Sequence, residues 1–539
     1  MRKFILLILA SLSLASYSQK KAPKLVVGIV IDQMRTDYIY RYWNRFSEGG
    51  FKRLVNEGFF CKNTHYNYVP TYTGPGHSSI YTGAAPSVHG IIANDWFVKE
   101  TGAETYCVAD EKAKPIGTTS KNGMMSPHKQ LTTTLGDELK LFTNGKSKVF
   151  GVALKDRSSV LPVGHAGNAA FWFDEETGNF VSSDWYVKEL PLWLSNFNAR
   201  KLAKTYLEKG WNTLYGIETY TNSIADDNKY ELAPNKKPKP VFPYDYKTQI
   251  AANSWGILKA SPWGNTITKD IAVECLKNEQ LGKDDISDML CISFSSTDYV
   301  GHSYGLRAVE TEDVYLRLDK DLEELLKTLD TEVGQENYIL FLTADHGAAD
   351  VASYLKDLKI PAGYLKESAI ELEIKNFCTQ KYGDATIIAN ISNQQIFLNA
   401  KQLAVKKLNS DDVEKALANK LIQMEGISEA YPSSVLKFEG YKGDSFKSLI
   451  ANGYNHKRSG NVAFSYLPGW LDIQETGTTH GSEFTYDTHV PLIFFGAGIK
   501  KGESVKNYYI TEIAPTISIL LNNPFPNGCT SKPIEEVCK

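Results

Sequence analysis

The chain has 539 residues, 42% of them hydrophobic, with 59 basic and 62 acidic side chains and a net charge of −3. That length and apolar content exclude a disordered protein, and the mild acidity excludes a nucleic-acid binder, which would need a basic footprint. Seven cysteines, none in a Cys-x-x-Cys pair, exclude both a disulfide scaffold and a cysteine-based zinc finger.

Residues 1–18 open with Arg2 and Lys3, run apolar from Phe4 to Ala15 and end in the small residues Ser16 and Ser18 before Gln19. This is the pattern of a cleaved export signal, too short to span a bilayer and without the cysteine that would take a lipid anchor. Its removal takes two positive charges and moves the net charge from −3 to −5. No later segment reads as a membrane helix, so the mature protein is expected to be soluble and periplasmic or secreted. In such a compartment Cys529 and Cys538 could close a C-terminal loop or remain free; Cys291 reads as core.

Five apolar runs read as buried strands: Leu25–Ile31, Val149–Leu154, Leu290–Phe294, Tyr338–Leu342 and Pro491–Phe495. Helical patterns lie between them, most clearly Val314, Leu318, Leu322, Leu325 and Leu329, which share one face. The alternation predicts an α/β fold with a mostly parallel central sheet sandwiched by helices. Two intervals, at about 159–255 and 351–470, read as inserted cap segments within one domain spanning 19–539. The first is rich in tryptophan and suited to covering a site. The second has a small βαβ-like pattern of its own, Ile387–Ile391 and Gln395–Leu398, and a helix with Ser410 as N-cap and Asp411 and Asp412 in its first turn.

Four of the strands run into polar residues: Asp32, the pair Lys155 and Arg157, then Asp298, then Asp345. Carboxyl ends of parallel strands share one edge of the sheet, which is where open α/β sheets gather their reacting groups. Asp298 and His302 are one helical turn apart and can point at one ion, although such a pair also occurs on surfaces and as caps. Asp345 and His346 can share an ion only where the chain bends, and Gly347 would permit the bend. His480 lies in a loop of small residues with no core periodicity; His489, just before a strand, is its rival.

Thr73, in Thr71-Tyr-Thr-Gly-Pro-Gly-His77, precedes the helical stretch Ser78–Thr82, and a helix N-terminus favours an anion. Thr73 could equally be a plain N-cap. Lys155 and Arg157, two apart on a strand, would share a face and could clamp one anion, with Asp156 turned away.

These blocks, together with Gly90-Ile-Ile-Ala-Asn94-Asp-Trp96, resemble the alkaline phosphatase superfamily in its nucleotide pyrophosphatase/phosphodiesterase branch. The likeness is greatest to the phosphate-irrepressible (PafA-type) bacterial alkaline phosphatases and runs through the whole mature chain. The resemblance implies two zinc ions, one held by Asp298, His302 and His480, the other by Asp32, Asp345 and His346 with Thr73. It implies attack by Thr73 on phosphorus to give a phosphothreonine, with Asn94, Lys155 and Arg157 binding the phosphoryl oxygens. Two cations suit a dianionic monoester better than a diester, so small-molecule phosphate monoesters are the expected substrates; the sequence does not fix the oligomeric state, for which a monomer is the expectation. Thr73 lacks the Cys/Ser-x-Pro-x-Arg context of sulfatases. Gly74 and Pro75 vary within the branch, and Glu512 stands where relatives often carry Asp, with only a structural role expected. A phosphodiesterase or nucleotide pyrophosphatase is the nearest alternative, and an exported metal- or phosphate-binding protein the non-enzymatic one.

Overall fold

The run Leu25–Ile31 contains nothing that gains from facing water, so as a strand it must be covered on both faces, and all seven residues are buried. It is β1, near the middle of a ten-stranded sheet in the computed structural model, which describes residues 22–232, 239–437, 445–473 and 475–539. The expected export signal lies outside the described residues. The other strands of this sheet are β2 (Phe59–His65), β3 (Pro115–Ile116), β4 (Val149–Ala153), β5 (Ala169–Asp174), β6 (Asn179–Ser183), β7 (Asp288–Phe294), β8 (Tyr338–Thr343), β9 (His489–Gly496) and β10 (Gly502–Tyr509). Their lateral order is β10-β2-β9-β8-β1-β7-β4-β5-β6-β3.

The inner strands β8, β1, β7, β4 and β5 are parallel, so the segments leaving β1, β4, β7 and β8 emerge at one edge. Five helices matter to the site: α1 (Thr73–Thr82), α2 (Arg157–Val163), α3 (Trp263–Asn278), α4 (Ser296–Tyr304) and α5 (Val309–Glu332). Helices α1 and α2 pack on each other, and α3 packs on α5, α4 and β7. The apolar stripe of α5, Val314 through Leu329, is wholly buried as its spacing predicts. The architecture is α/β with a mostly parallel centre flanked by helices.

The fifth expected strand departs from the parallel pattern. It is β9, and it runs antiparallel to β8, with Ile339 opposite Gly496 and Thr343 opposite Leu492. No single crossover helix separates β8 from β9; the long insertion brings the chain back to the edge it left, and β9 therefore starts where β8 ends. Within the interval expected as the first insertion, the aromatic segments Ala169–Asp174 and Asn179–Ser183 are strands of the main sheet, and Trp172 lies in its core.

The second interval carries a separate four-stranded sheet, ordered 388–392, 395–398, 462–466, 427–432, over its own core of Ile370, Ile374, Leu417 and Leu421. Its first two strands form an antiparallel hairpin, not a βαβ unit, because Asn393 (φ 53°) and Gln394 (φ 58°) are both left-handed, which closes a two-residue turn. Helix α6 (Ala400–Lys406) precedes α7 (Ser410–Leu421). The N-cap of α7 is Asn409, whose side chain accepts from Asp412 N, while Ser410 is the first helical residue and its Oγ donates to Glu414. Cys529 and Cys538 are free thiols. No helix of the described residues is long and apolar enough to cross a membrane.

Candidate active site

Asp32 extends β1 by one more ladder bond, from its N–H to Phe294 O at 3.0 Å, and its carbonyl accepts from Thr297 Oγ1 at 2.6 Å. The fully buried carboxylate lies 2.7 Å from Lys155 Nζ, and Oδ1 lies 3.5 Å from His346 Nε2 without a hydrogen-bond partner. Asp298, in the first turn of α4, receives Lys155 Nζ at 2.6 Å and places Oδ1 3.1 Å from His302 Nε2 and 3.8 Å from His480 Nε2. His480 arrives on the loop ahead of β9, which the antiparallel direction of that strand brings to this edge.

The three histidines share one device. His302 Nδ1 donates to Thr478 O at 2.8 Å, His480 Nδ1 to Thr71 O at 2.7 Å and His346 Nδ1 to Gly347 O at 2.9 Å. A carbonyl can only accept, so each ring carries a proton on Nδ1 and turns its Nε2 toward the carboxylates. Burial pushes His346 down to about 3 and His480 well below the usual range, which keeps both neutral. Their rings stack 3.4 Å apart. Burial would lower His302 as well, but the Asp298 carboxylate beside it turns the shift upward. For Asp298, burial works against ionisation but His302 and Lys155 hold it well below the usual range. Asp32 and Asp345 are raised by burial and by neighbouring carboxylates.

Two sets of donors lie within 4.8 Å: Asp298, His302 and His480, and Asp32, Asp298 and His346. The first set is the group expected from sequence. In the second, Asp298 stands where Asp345 was expected, so Asp298 faces both groups. Asp345 is adjacent: Oδ2 lies 3.6 Å from His346 Nε2 and has no hydrogen-bond partner, while Oδ1 accepts from Gln33 N at 3.1 Å. Buried oxygens and imidazole nitrogens without donors are what a zinc-class cation requires, so these side chains fit the expected metal pair. His489 belongs to neither group; it stacks on His65 and its Nε2 donates to Lys62 O. Glu512 accepts from Tyr509 N at 3.2 Å, a local structural bond.

Gly347 is needed for a different reason from the one its position suggests. It is not left-handed; a Cβ there would strike the carbonyl of Tyr486. Thr73 is the first residue of α1, whose N-cap is Tyr72, so Thr73 is not spent as a cap. The helix is locked beside Asp345: a Cβ on Gly76 would lie 2.5 Å from Asp345 O, and His77 Nδ1 lies 2.9 Å from Thr73 O and 3.5 Å from Asp345 Oδ2. Asn94 Oδ1 accepts from Gly74 N at 2.8 Å, which fixes its amide next to the start of α1 and leaves the NH2 to donate.

Lys155 and Arg157 reach the site differently from the expected pair on one strand face. The strand stops at Ala153 and Arg157 begins α2, so the two side chains leave from a loop and a helix. Lys155 is buried between Asp32 and Asp298. Arg157 Nη1 donates to Tyr106 OH at 3.0 Å, and its Nε is buried without a partner. Tyr106 in turn donates to Asp156, which also takes the Arg157 N–H at 2.6 Å. A cavity of about 160 Å3 opens here, lined by Lys155, Arg157, Tyr106, Trp172, Lys259 and Tyr299.

Gln33, Tyr106 and His77 are site residues to which the sequence reading assigns no role, although His77 closes the Thr73 block and Gln33 follows Asp32. Gln33 adopts φ 64° and donates through Nε2 to Asp298 Oδ1 at 2.7 Å and through its backbone to Asp345, tying the two groups together. Position immediately after Asp32 was the only available signal for it.

A family model for type I phosphodiesterase / nucleotide pyrophosphatase matches residues 26–489. The chain is similar to alkaline phosphatase PafA of Elizabethkingia meningoseptica, with 44% identity over 517 residues that cover 96% of this chain and 94% of that one. It is also similar to a Myroides odoratus protein named calcium-transporting ATPase, 43% identical over 533 residues covering 97% and 96%. The 1.7 Å crystal structure of wild-type alkaline phosphatase PafA matches with a TM-score of 0.93 at 44% identity, covering 96% of this chain and 99% of that chain.

Proposed function

The chain belongs to the type I phosphodiesterase / nucleotide pyrophosphatase family, as an alkaline phosphatase within it, and we propose that it hydrolyses phosphate monoesters at a two-zinc site through a phosphothreonine on Thr73. The observation that carries the reading is the common arrangement of His302, His346 and His480, each with Nδ1 bonded to a carbonyl and Nε2 turned to a carboxylate, Asp298 for His302 and His480 and the unpartnered oxygens Asp32 Oδ1 and Asp345 Oδ2 for His346. Asp298, His302 and His480 would hold one ion, and Asp32, Asp345 and His346 the other, with Asp298 near both. When bound, zinc supplies Lewis-acid charge that eases ionisation of the Thr73 hydroxyl and departure of the ester oxygen.

Thr73 Oγ1 forms the new bond to phosphorus as the ester P–O bond breaks in line, and the leaving alcohol takes a proton from solvent. Water then attacks the phosphothreonine, releasing phosphate and restoring the hydroxyl. The chain's own contribution to both steps is positioning and charge. Asn94 NH2, Lys155 and Arg157 Nε would donate to the non-bridging oxygens, where a dianion carries its charge. A diester offers one charge fewer, so two cations at this point favour monoesters. The terminal phosphoryl group of ATP has the same dianionic form, and the same site would accept it.

Hydrolysis of matched aryl phosphate mono- and diesters and an aryl sulfate, by metal-free and zinc-reconstituted protein, tests this. The expected outcome is zinc-dependent cleavage with the monoester preferred; equal or greater diester turnover would overturn the substrate reading. The expected mature protein begins at Gln19, is periplasmic or secreted, and is monomeric, with the segment at about 351–470 and the part of 159–255 that follows the main-sheet strands β5 and β6 acting as caps. N-terminal sequencing and light scattering check the first and third of these.

A further inference from the structure

The cavity beside Arg157 is walled by a third cation besides Lys155 and Arg157. Lys259, on the 3-10 helix Trp255–Ala260, lines it together with Glu175 and Tyr299. Lys259 Nζ lies 5.1 Å from the centroid of the Tyr299 ring, and Lys155 Nζ lies 5.0 Å from the same centroid. The Lys259 ammonium also donates to Glu175 Oε2. Glu175 stands in the turn that joins β5 to β6 and has little freedom of its own, since a Cβ on Gly256 would lie 2.8 Å from that same oxygen. Burial works against the charge on Lys259, but Tyr299 and Glu175 turn the shift upward, so the ammonium stays charged where it is held.

In the proposed reaction Lys155 and Arg157 hold the non-bridging oxygens, and a diester carries its second group on one of these. That group would run past the two cations into this cavity, whose volume of about 160 Å3 leaves room for a short alkyl group. Space alone therefore does not reject a diester. Charge does: an apolar group in the cavity strips water from the Lys259–Glu175 pair and returns no hydrogen bond, whereas the bare oxygen of a monoester leaves that water in place and gains from a further positive charge. We propose that Lys259, fixed by Glu175 over the Tyr299 ring, is a specificity-determining residue that disfavours a neutral second ester group. The inference rests on the monoester reading of the site and adds a second source of selectivity to it, a penalty against the wrong substrate rather than a contact with the right one. It also gives the β5–β6 turn a chemical part, because that turn supplies the carboxylate that aims the ammonium.

An aryl phosphate and its methyl diester share one leaving group, so their kcat/KM ratio on zinc-loaded protein reports on the second group alone. Lys259→Met removes the charge at similar length and should lower the monoester-to-diester ratio by about 10-fold or more, chiefly through faster diester cleavage. Lys259→Gln, a second neutral variant, should lower it in the same direction, and Lys259→Arg should keep the wild-type ratio. Tm and zinc content of each variant establish that it is folded and loaded. A wild-type preference for monoesters that both neutral variants retain, or an equal loss on the two esters, would overturn this inference alone. A wild type without that preference would overturn the monoester reading and the inference with it.

Discussion

Thr73 is the residue on which the proposed chemistry turns, and its place at the first position of α1 rather than at the cap leaves its hydroxyl available. Thr73→Ala should lower kcat by roughly 10^4-fold or more, the scale seen when a nucleophile acting with its partners is removed, while Thr73→Ser retains measurable turnover. Steady-state rates for the two variants decide it; an alanine variant with wild-type kcat would end the covalent mechanism. Tyr106 has a subtler part, because its hydroxyl accepts from Arg157 and donates to Asp156 without lying on any motif. Tyr106→Phe frees Arg157 from that anchor and should cut kcat/KM for monoesters by about 10-fold, with a smaller loss for diesters and an unchanged Tm. A uniform loss on both ester classes would argue against a positioning role. The candidate ligands were legible in the sequence because Asp, His and Gly stand in recognisable blocks at strand ends. Gln33 and Tyr106 were not, because their roles come from a left-handed backbone at one and a hydroxyl bridge across some fifty positions at the other.

At the scale of elements, α1 and the end of β8 act as one unit, since Gly76 lets the helix approach Asp345 O where a Cβ would sit at 2.5 Å. Gly76→Ala should cost about 1–3 kcal/mol in stability and, by moving Thr73 relative to Asp345, lower kcat by on the order of 100-fold. Urea denaturation and kinetics on the same preparation separate the two effects, and a variant with both unchanged would refute the coupling. In the second sheet, Asn409→Ala should destabilise by about 1 kcal/mol through loss of the α7 cap, and Ser410→Ala by less. The reverse ranking in denaturation midpoints would restore Ser410 as the cap. Long apolar runs such as Leu25–Ile31 announced their strands, and the alternation announced a parallel centre. The direction of β9 was not legible, because periodicity marks a strand without its sense. Nor were β5 and β6, whose aromatic residues read as a cover although Trp172 and Phe171 are core.

For the whole molecule, buried acids make stability depend on pH in a definite direction. Burial between α3 and α5 pushes Asp321 up to about 7 despite Lys269 and a hydrogen bond from Thr266. The native state therefore holds a proton that the unfolded chain releases near pH 4, and stability falls as pH rises from about 4 to 7. Asp321→Asn removes that dependence, so its stability relative to wild type should improve between pH 4 and pH 8 by about 1–4 kcal/mol. Equal differences in denaturation free energy at the two pH values would contradict the assignment. The closing of the site by His480 Nδ1 on Thr71 O, across 409 positions, also sets an order in time. At the roughly 5–20 residues per second of ribosomal synthesis, a nascent chain carries Thr73 for about 20–80 s before His480 exists. Hydrolytic power therefore arrives with the final stretch of translation, and the producing cell is spared a half-made phosphatase among its own phosphate esters.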